Sequence, residues 1–302
     1  MSVGRLPPAL LARLQSQYSS AEYNLIMRGF RKQRAVQVRV NSLRAEPMAL
    51  IRYCQRRGLS YRRMSFDPLA FVVEGVRERD LLSEPEWEQG LFYLQTLSSQ
   101  LPVRVLSPRR GSRILDMCAA PGSKSTQIAA LVENEAQLVV CDRDPIRAQQ
   151  LAHTLRLLGA SAELRQCDAA MLKSEYSEYF DYVLADVPCS GEGRISLHLP
   201  QSYRRWTATD GVRWAKEQRR LLRAGLTMLR PGGLLVYSTC TLSPLENELL
   251  VASVLADESF SVEQERVQVE GFFATHQHDS GCVSVLPSEQ SEGFFVARLR
   301  RL

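Results

Sequence analysis

The chain has 302 residues, 45% hydrophobic and 24% charged, ordinary values for a globular protein with a sizeable core. No apolar run is long enough to span a bilayer, and seven cysteines without a C-x-x-C pair speak against both a disulfide framework and a zinc site. The net charge of +5 is uneven: residues 1–63 hold thirteen Arg or Lys against two acids, so the remainder is net acidic.

One-sided charge at that density reads as a phosphate-binding surface, with a solvated face as the bland alternative. The start (MSVGRLPPALLARLQ) is acid-poor like a transit peptide but lacks the apolar core of a secretory signal, and it reads as a first helix. Leu10, Leu11 and Leu14, then Tyr18, Tyr23, Ile26, Met27 and Phe30, place helix over 7–30. Val36, Val38 and Val40 alternate with Gln37 and Arg39, a strand pattern. A helix over 46–57 stops at Gly58, and strands at 59–64 and 70–73 flank Asp67-Pro68. Residues 1–80 are thus a small basic α/β unit, 81–110 a helical connection, and 111–302 a second domain.

From Gly111 onward strands and helices alternate. Strands at 114–117, 138–141, 162–166, 182–187, 234–238, 282–286 and 294–299, with helices at 123–132, 145–158, 211–229 and 245–256, imply an α/β, doubly wound, mostly parallel sheet of Rossmann type. Ligands then lie beyond the carboxyl ends of the strands.

The stretch 113–124 anchors this domain. A strand ending at Met117 passes through Cys118, Ala119, Ala120, Pro121 and Gly122 into a helix beginning at Ser123 and Lys124. Helix-start N–H groups over a glycine turn attract an anion. A dinucleotide fingerprint needs three glycines where only Gly122 stands, and the P-loop spacing also fails. The remaining reading is the carboxylate end of S-adenosylmethionine (SAM), with Lys124, one of four lysines, as a point contact. Asp142 follows the second strand where ribose hydroxyls are gripped, with Asp144 as neighbour or helix cap. Asp168 follows the third strand. The four histidines make poor metal ligands, and no metal is expected.

CAAPGSK resembles the CAAPGGKT motif of the RNA cytosine-C5 methyltransferases, and three more elements follow in order: DVPCSG at 186–191, YSTCTLSPLENE at 237–248 and the terminal GFFVARL. Upstream, VRVNSLRA resembles the family's RNA-associated domain, and the segment from Gly90 to Gln95 its G-x-F/Y-x-x-Q element. The resemblance implies SAM as cofactor, held by Cys118 to Lys124, Asp142, Arg147, Asp168 and Asp186. It implies Cys240 as nucleophile, Cys189 in product release and Asp186 as acid or base contact. A thiolate adding to cytosine C6 would activate C5. The expected substrate is ribosomal RNA, with transfer RNA as the alternative; DNA methylation and a SAM-binding assembly factor without catalysis compete. The implied protein is a cytoplasmic monomer, without a further RNA-binding domain after the last strand. Tyr203, Trp206 and Trp214 with nearby arginines suit splayed bases; Ser238, Thr239, Glu246 and Asn247 read as turn and helix caps.

Overall fold

The computed structural model describes residues 6–257, 259–269 and 271–302; Arg5 of the basic start lies outside them. The alternating segment Val36–Val40 (β1) joins Tyr61–Arg63 (β2), Ala70–Val73 (β3) and Phe92–Leu94 (β4) in an antiparallel sheet of order β2-β3-β1-β4. An alternating pattern predicts one wet face, yet all five β1 residues are buried. The valine face packs on Leu50, Tyr53, Trp87 and Phe92. The other face is covered by the second domain: Gln37 Nε2 donates to the Gln290 carbonyl at 2.8 Å, and its Oε1 accepts from Leu97 N–H at 2.6 Å. The sheet therefore reaches residue 94, into the stretch expected to be a connection.

The expected single helix over 7–30 is two, Pro8–Gln17 and Ser20–Arg31. Ser19 breaks it by forming a capping box with Glu22, a local bond set that outcompetes helix continuation and is worth about 1 kcal/mol. Both helices dock away from the small sheet. Leu10, Leu14, Ile26 and Phe30 pack with Ile195, Leu197, Tyr203, Leu242 and Leu286 of the second domain. Arg13 meets Glu192 at 2.5 Å.

The second sheet comprises Arg113–Asp116 (β5), Gln137–Cys141 (β6), Glu163–Arg165 (β7), Phe180–Asp186 (β8), Leu229–Thr239 (β9), Val262–Glu265 (β10), Thr275–Gln277 (β11), Val283–Val285 (β12) and Phe294–Arg301 (β13). Its order is β11-β12-β13-β9-β8-β5-β6-β7, with β10 beside β13. Pairings among β5 to β9 are parallel, and those of β10 to β13 antiparallel. Helices Ser123–Leu131, Pro145–Leu158 and Asp210–Met228 connect the parallel strands. The carboxyl ends of β5, β6, β8 and β9 share one edge, joined by the amino end of antiparallel β13. Among the described residues no helix is long and apolar enough to cross a membrane.

Candidate active site

At the end of β5 the chain turns through Cys118 to Gly122, whose φ of 109° is open to glycine. A Cβ at Gly122 would lie 3.1 Å from Leu151 and Thr154. The missing side chain thus allows the turn to pack closely against the Pro145–Leu158 helix. Lys124 is buried; its Nζ lies 2.7 Å from Asp186 Oδ2, donates to Ser99 Oγ at 2.9 Å and sits over the Phe294 ring. Its carboxylate partner here is Asp186. Ser238 Oγ donates to the other oxygen of Asp186 at 2.8 Å. Both oxygens accept hydrogen bonds in this arrangement.

Asp116, which the sequence reading passed over, ends β5 in the same cavity. Its Oδ2 accepts from Ser125 Oγ at 2.7 Å, while its buried Oδ1 has no partner among the described residues. Burial, reinforced by the Asp186 charge, pushes its pKa up to about 7. An acid at the end of the strand that enters the anchor turn is the signal that could have found it. The cavity measures about 650 Å³ and is also lined by Lys124, Asp186, Cys189, Arg194, Cys240, Glu292 and Phe294.

A smaller pocket continues past Cys118, Arg147 and Pro188, which line both, to Asp142, Asp168, Ala169, Trp214 and Leu221. Asp142 is buried, with the Ala120 N–H donating to Oδ2 at 3.3 Å and the Asp144 N–H to Oδ1 at 3.1 Å. Arg147 donates to the Ala120 carbonyl at 2.6 Å and stands 3.6 Å from Asp142. Asp144 caps the following helix through Ile146 and Arg147 N–H groups. Asp168 both caps, accepting from Ala170 N–H, and pairs with Arg220 at 2.6 Å. Burial alone would raise its pKa, but these donors outweigh burial and hold it below the usual range.

The two predicted catalytic thiols meet. Cys189 Sγ lies 3.2 Å from Cys240 Sγ, because the loop after β8 and the end of parallel β9 are neighbours. The pair is asymmetric: a hydrogen bond from Cys189 lowers the pKa of Cys240 against its burial, with Arg194 adding to the effect. The same bond, with burial, raises Cys189 well above the ordinary thiol value. Of the two thiols Cys240 is thus the easier to ionise, with Cys189 placed to donate to it.

Glu246 anchors this loop instead of capping a helix. It is fully buried and accepts from Ser190 N–H (2.9 Å), Ser190 Oγ (2.6 Å) and Gln218 Nε2 (2.9 Å). Asn247 is bonded to Thr239 and Thr241. The aromatic cluster does not assemble as one surface. Tyr203 is buried in the core, Trp206 Nε1 donates to Glu192 at 2.7 Å, and Trp214 lines the smaller pocket. His276 pairs with Glu22, and His278 with Ser284. Among the described residues no cluster of three or more His, Cys, Asp or Glu could hold a metal.

The family model described as 16S rRNA methyltransferase RsmB/F matches residues 103–300. The chain belongs to the RsmB/F methyltransferase family. The ribosomal RNA small subunit methyltransferase F of Shewanella denitrificans is 35% identical over 274 residues, covering 87% of this chain and 54% of that protein. The chain spans about half the length of the curated relatives it matches. PH0851 has the same architecture at a TM-score of 0.88 and 25% identity, over 98% of this chain and 66% of that one. A methyltransferase homologue from Pyrococcus horikoshii matches at a TM-score of 0.78 and 28% identity, over 98% of this chain and all of that one. Of the elements quoted from the sequence, CAAPGSK, DVPCSG, the start of YSTCTLSPLENE and the start of GFFVARL fall at the shared strand edge.

Proposed function

We propose that this chain methylates C5 of a cytosine in small-subunit ribosomal RNA with SAM as donor. The observation that carries the reading is the meeting of Cys189 and Cys240 at 3.2 Å in one cavity with Lys124 and Asp186. Family membership supports the ribosomal substrate, and such a substrate fits a cytoplasmic protein.

The residues fit SAM. Asp116 offers an unpartnered acceptor to an ammonium, Asp142 and Asp168 are acceptors for hydroxyl or amino groups, and Ala169, Leu221 and Trp214 form an apolar wall for a flat base. Cys118 to Ser123 form the turn between the two ends. Bound there, SAM would supply an electrophilic methyl group to C5.

Cytosine C5 is a weak nucleophile until Cys240 thiolate bonds to C6 and shifts the ring electrons toward C5 and N3. N3 then takes up a proton. That proton is available on the Lys124 ammonium, with Asp186 as the relay between them. After methylation water entering the cavity takes the C5 proton, the C5–H electrons re-form the C5=C6 bond and expel Cys240 as thiolate, and N3 returns its proton through Asp186 to Lys124, which restores the aromatic ring. We assign Cys189 to this release. The base must leave its stack to reach Cys240. The exposed arginines of the first 63 residues, Arg28, Arg31, Arg44 and Arg52 among them, are the proposed RNA surface.

The test is transfer of labelled methyl from SAM to 16S ribosomal RNA and transfer RNA, with denaturing gels for protein–RNA adducts. Label is expected on ribosomal RNA with wild type alone, and a trapped adduct with Cys189→Ala but not Cys240→Ala. An adduct only in Cys240→Ala would reverse the cysteine roles. Label confined to transfer RNA would change the substrate.

A further inference from the structure

Resting on Cys240 as nucleophile, we infer that Arg194 is a positioning residue that holds Cys240 in its nucleophilic form, opposed by Glu292 across the same cavity. Neither residue belongs to the motifs that identified the site.

Two glycines deliver these charges. Gly193 N–H donates to the Cys240 carbonyl at 2.9 Å, and Gly293 N–H donates to the Gly193 carbonyl at 2.9 Å. A Cβ at Gly193 would stand 2.2 Å from the Gly293 oxygen, and one at Gly293 2.8 Å from Gly193 Cα. Those contacts leave no room for a side chain, so three segments cross as closely as backbones can. Arg194 follows the first glycine and Glu292 precedes the second. The Arg194 guanidinium folds over the turn that carries Cys189: a Cβ at Gly191 would lie 3.2 Å from its Nη2.

The charged and titratable groups around Cys240 can be enumerated by element. Cys189 comes from the loop after β8, Asp186 from the end of β8, Asp116 and Cys118 from the end of β5 and the turn after it, Lys124 from the helix after β5, Arg147 from the helix after β6 and Tyr93 from β4. Arg194 comes from the turn at 192–194, and Glu292 from the segment before β13. Glu246 stands behind Ser190. Lys124 pairs with Asp186 at 2.7 Å. Arg194 has no ion pair among the described residues, and Asp186 and Glu292 are the cavity acids that oppose it at the thiol. The Cys189 hydrogen bond comes first in lowering the Cys240 pKa, burial works against it, and Arg194 lowers it while Asp186 and Glu292 raise it. Burial also raises Glu292 itself. Because the Arg194 side chain is exposed, solvent screening keeps its effect moderate and salt-dependent.

The test reads the thiol directly, without RNA, SAM or turnover. Iodoacetamide labelling of Cys240 is followed by peptide-resolved mass spectrometry between about pH 6 and 9, where thiolate reactivity is exposed. Arg194→Gln should slow Cys240 labelling near neutral pH by roughly 3- to 10-fold and move the profile to higher pH, with the plateau rate retained. Arg194→Lys should restore most of the rate, and Glu292→Gln should move the profile to lower pH. High salt should shrink both differences. Unchanged profiles in Arg194→Gln and Glu292→Gln, with the folded state verified by thermal melts, would overturn the inference. So would a change in plateau rate alone, which means altered access. Failure of methyl transfer with these profiles intact would instead count against the proposed reaction.

Discussion

The catalytic edge and the N-terminal module use polar residues in opposite ways. At the edge, Lys124, Asp186, Cys189 and Cys240 line one cavity and pair off, Lys124 with Asp186 at 2.7 Å and Cys189 with Cys240 at 3.2 Å. In the module, polar and charged side chains tie separate segments together. Arg39 is buried and donates to Gln95 at 2.7 Å, Thr126 at 2.9 Å and the Ser123 carbonyl at 3.3 Å. It ties β1 to the start of the helix that carries Lys124. Asn41 donates to the Gly90 and Leu158 carbonyls, both at 2.8 Å. Arg13 meets Glu192, and Arg56 and Arg57 pair with Glu86 and Glu84. A motif at a strand end is positioned by its own backbone. A charge on a module surface is assigned by partners far away in sequence.

The comparison breaks most sharply at Asp116, the edge residue most dependent on burial. Its folded-state pKa of about 7 lies above the ordinary 3.8. A carboxyl raised in this way holds its proton more tightly when folded, so its cost is absent near pH 4 and complete above about pH 7. Asp116→Asn should therefore match wild type near pH 4 and exceed it in unfolding free energy by up to about 4 kcal/mol at pH 8. Denaturant titrations at both pH values measure this. A gain that is the same at both would show that the carboxyl is not held against its charge. The same variant should bind SAM more weakly if Asp116 meets the ammonium.

Next comes the junction. Gly90 sits at a φ of 70°, and a Cβ there would lie 2.1 Å from the Leu157 carbonyl oxygen. Gly90→Ala should cost about 3 kcal/mol, from positive-φ strain and a forced shift of the Pro145–Leu158 helix. Thermal melts and SAM titration check it together. Because that helix carries Arg147 and begins beside Asp142, affinity should fall with stability. A destabilised protein with unchanged SAM affinity would mean that the module and the cofactor pocket are independent.

This contrast explains what was legible. The strand and helix alternation after Gly111, and the two thiols at neighbouring strand ends, depend on periodicity and short-range turns. The Rossmann-type sheet and the Cys189–Cys240 meeting could be read from them. Strands β4, β10 and β11 have no counterpart among the expected elements and are defined by pairing with β1, β13 and β12. Glu246 looked like a cap because Ser, Thr, Glu and Asn often cap. Its three donors come from segments 28 or more residues away. The charge asymmetry was real in number, but burial and ion pairs use up much of it.

The smallest effect concerns the charge that remains. Arg28 on the Ser20–Arg31 helix and Arg52 on the Pro47–Arg57 helix are exposed and have no ion pair among the described residues. If they contact phosphates, Arg28→Ala and Arg52→Ala should each weaken RNA binding by only about 2- to 5-fold and lower the salt slope by about one. The loss should be uniform across RNA sequences, because phosphate contacts position without specifying. Arg57→Ala is the informative control: Arg57 already stands 2.8 Å from Glu84, so it has less charge to offer a phosphate and should change the slope less. Filter binding over a salt series measures all three. Equal slopes for Arg52→Ala, Arg57→Ala and wild type would mean that this helix faces away from RNA. The proposed surface would then contract to the Ser20–Arg31 helix, which packs directly on Ile195 and Leu197 beside the Arg194 turn.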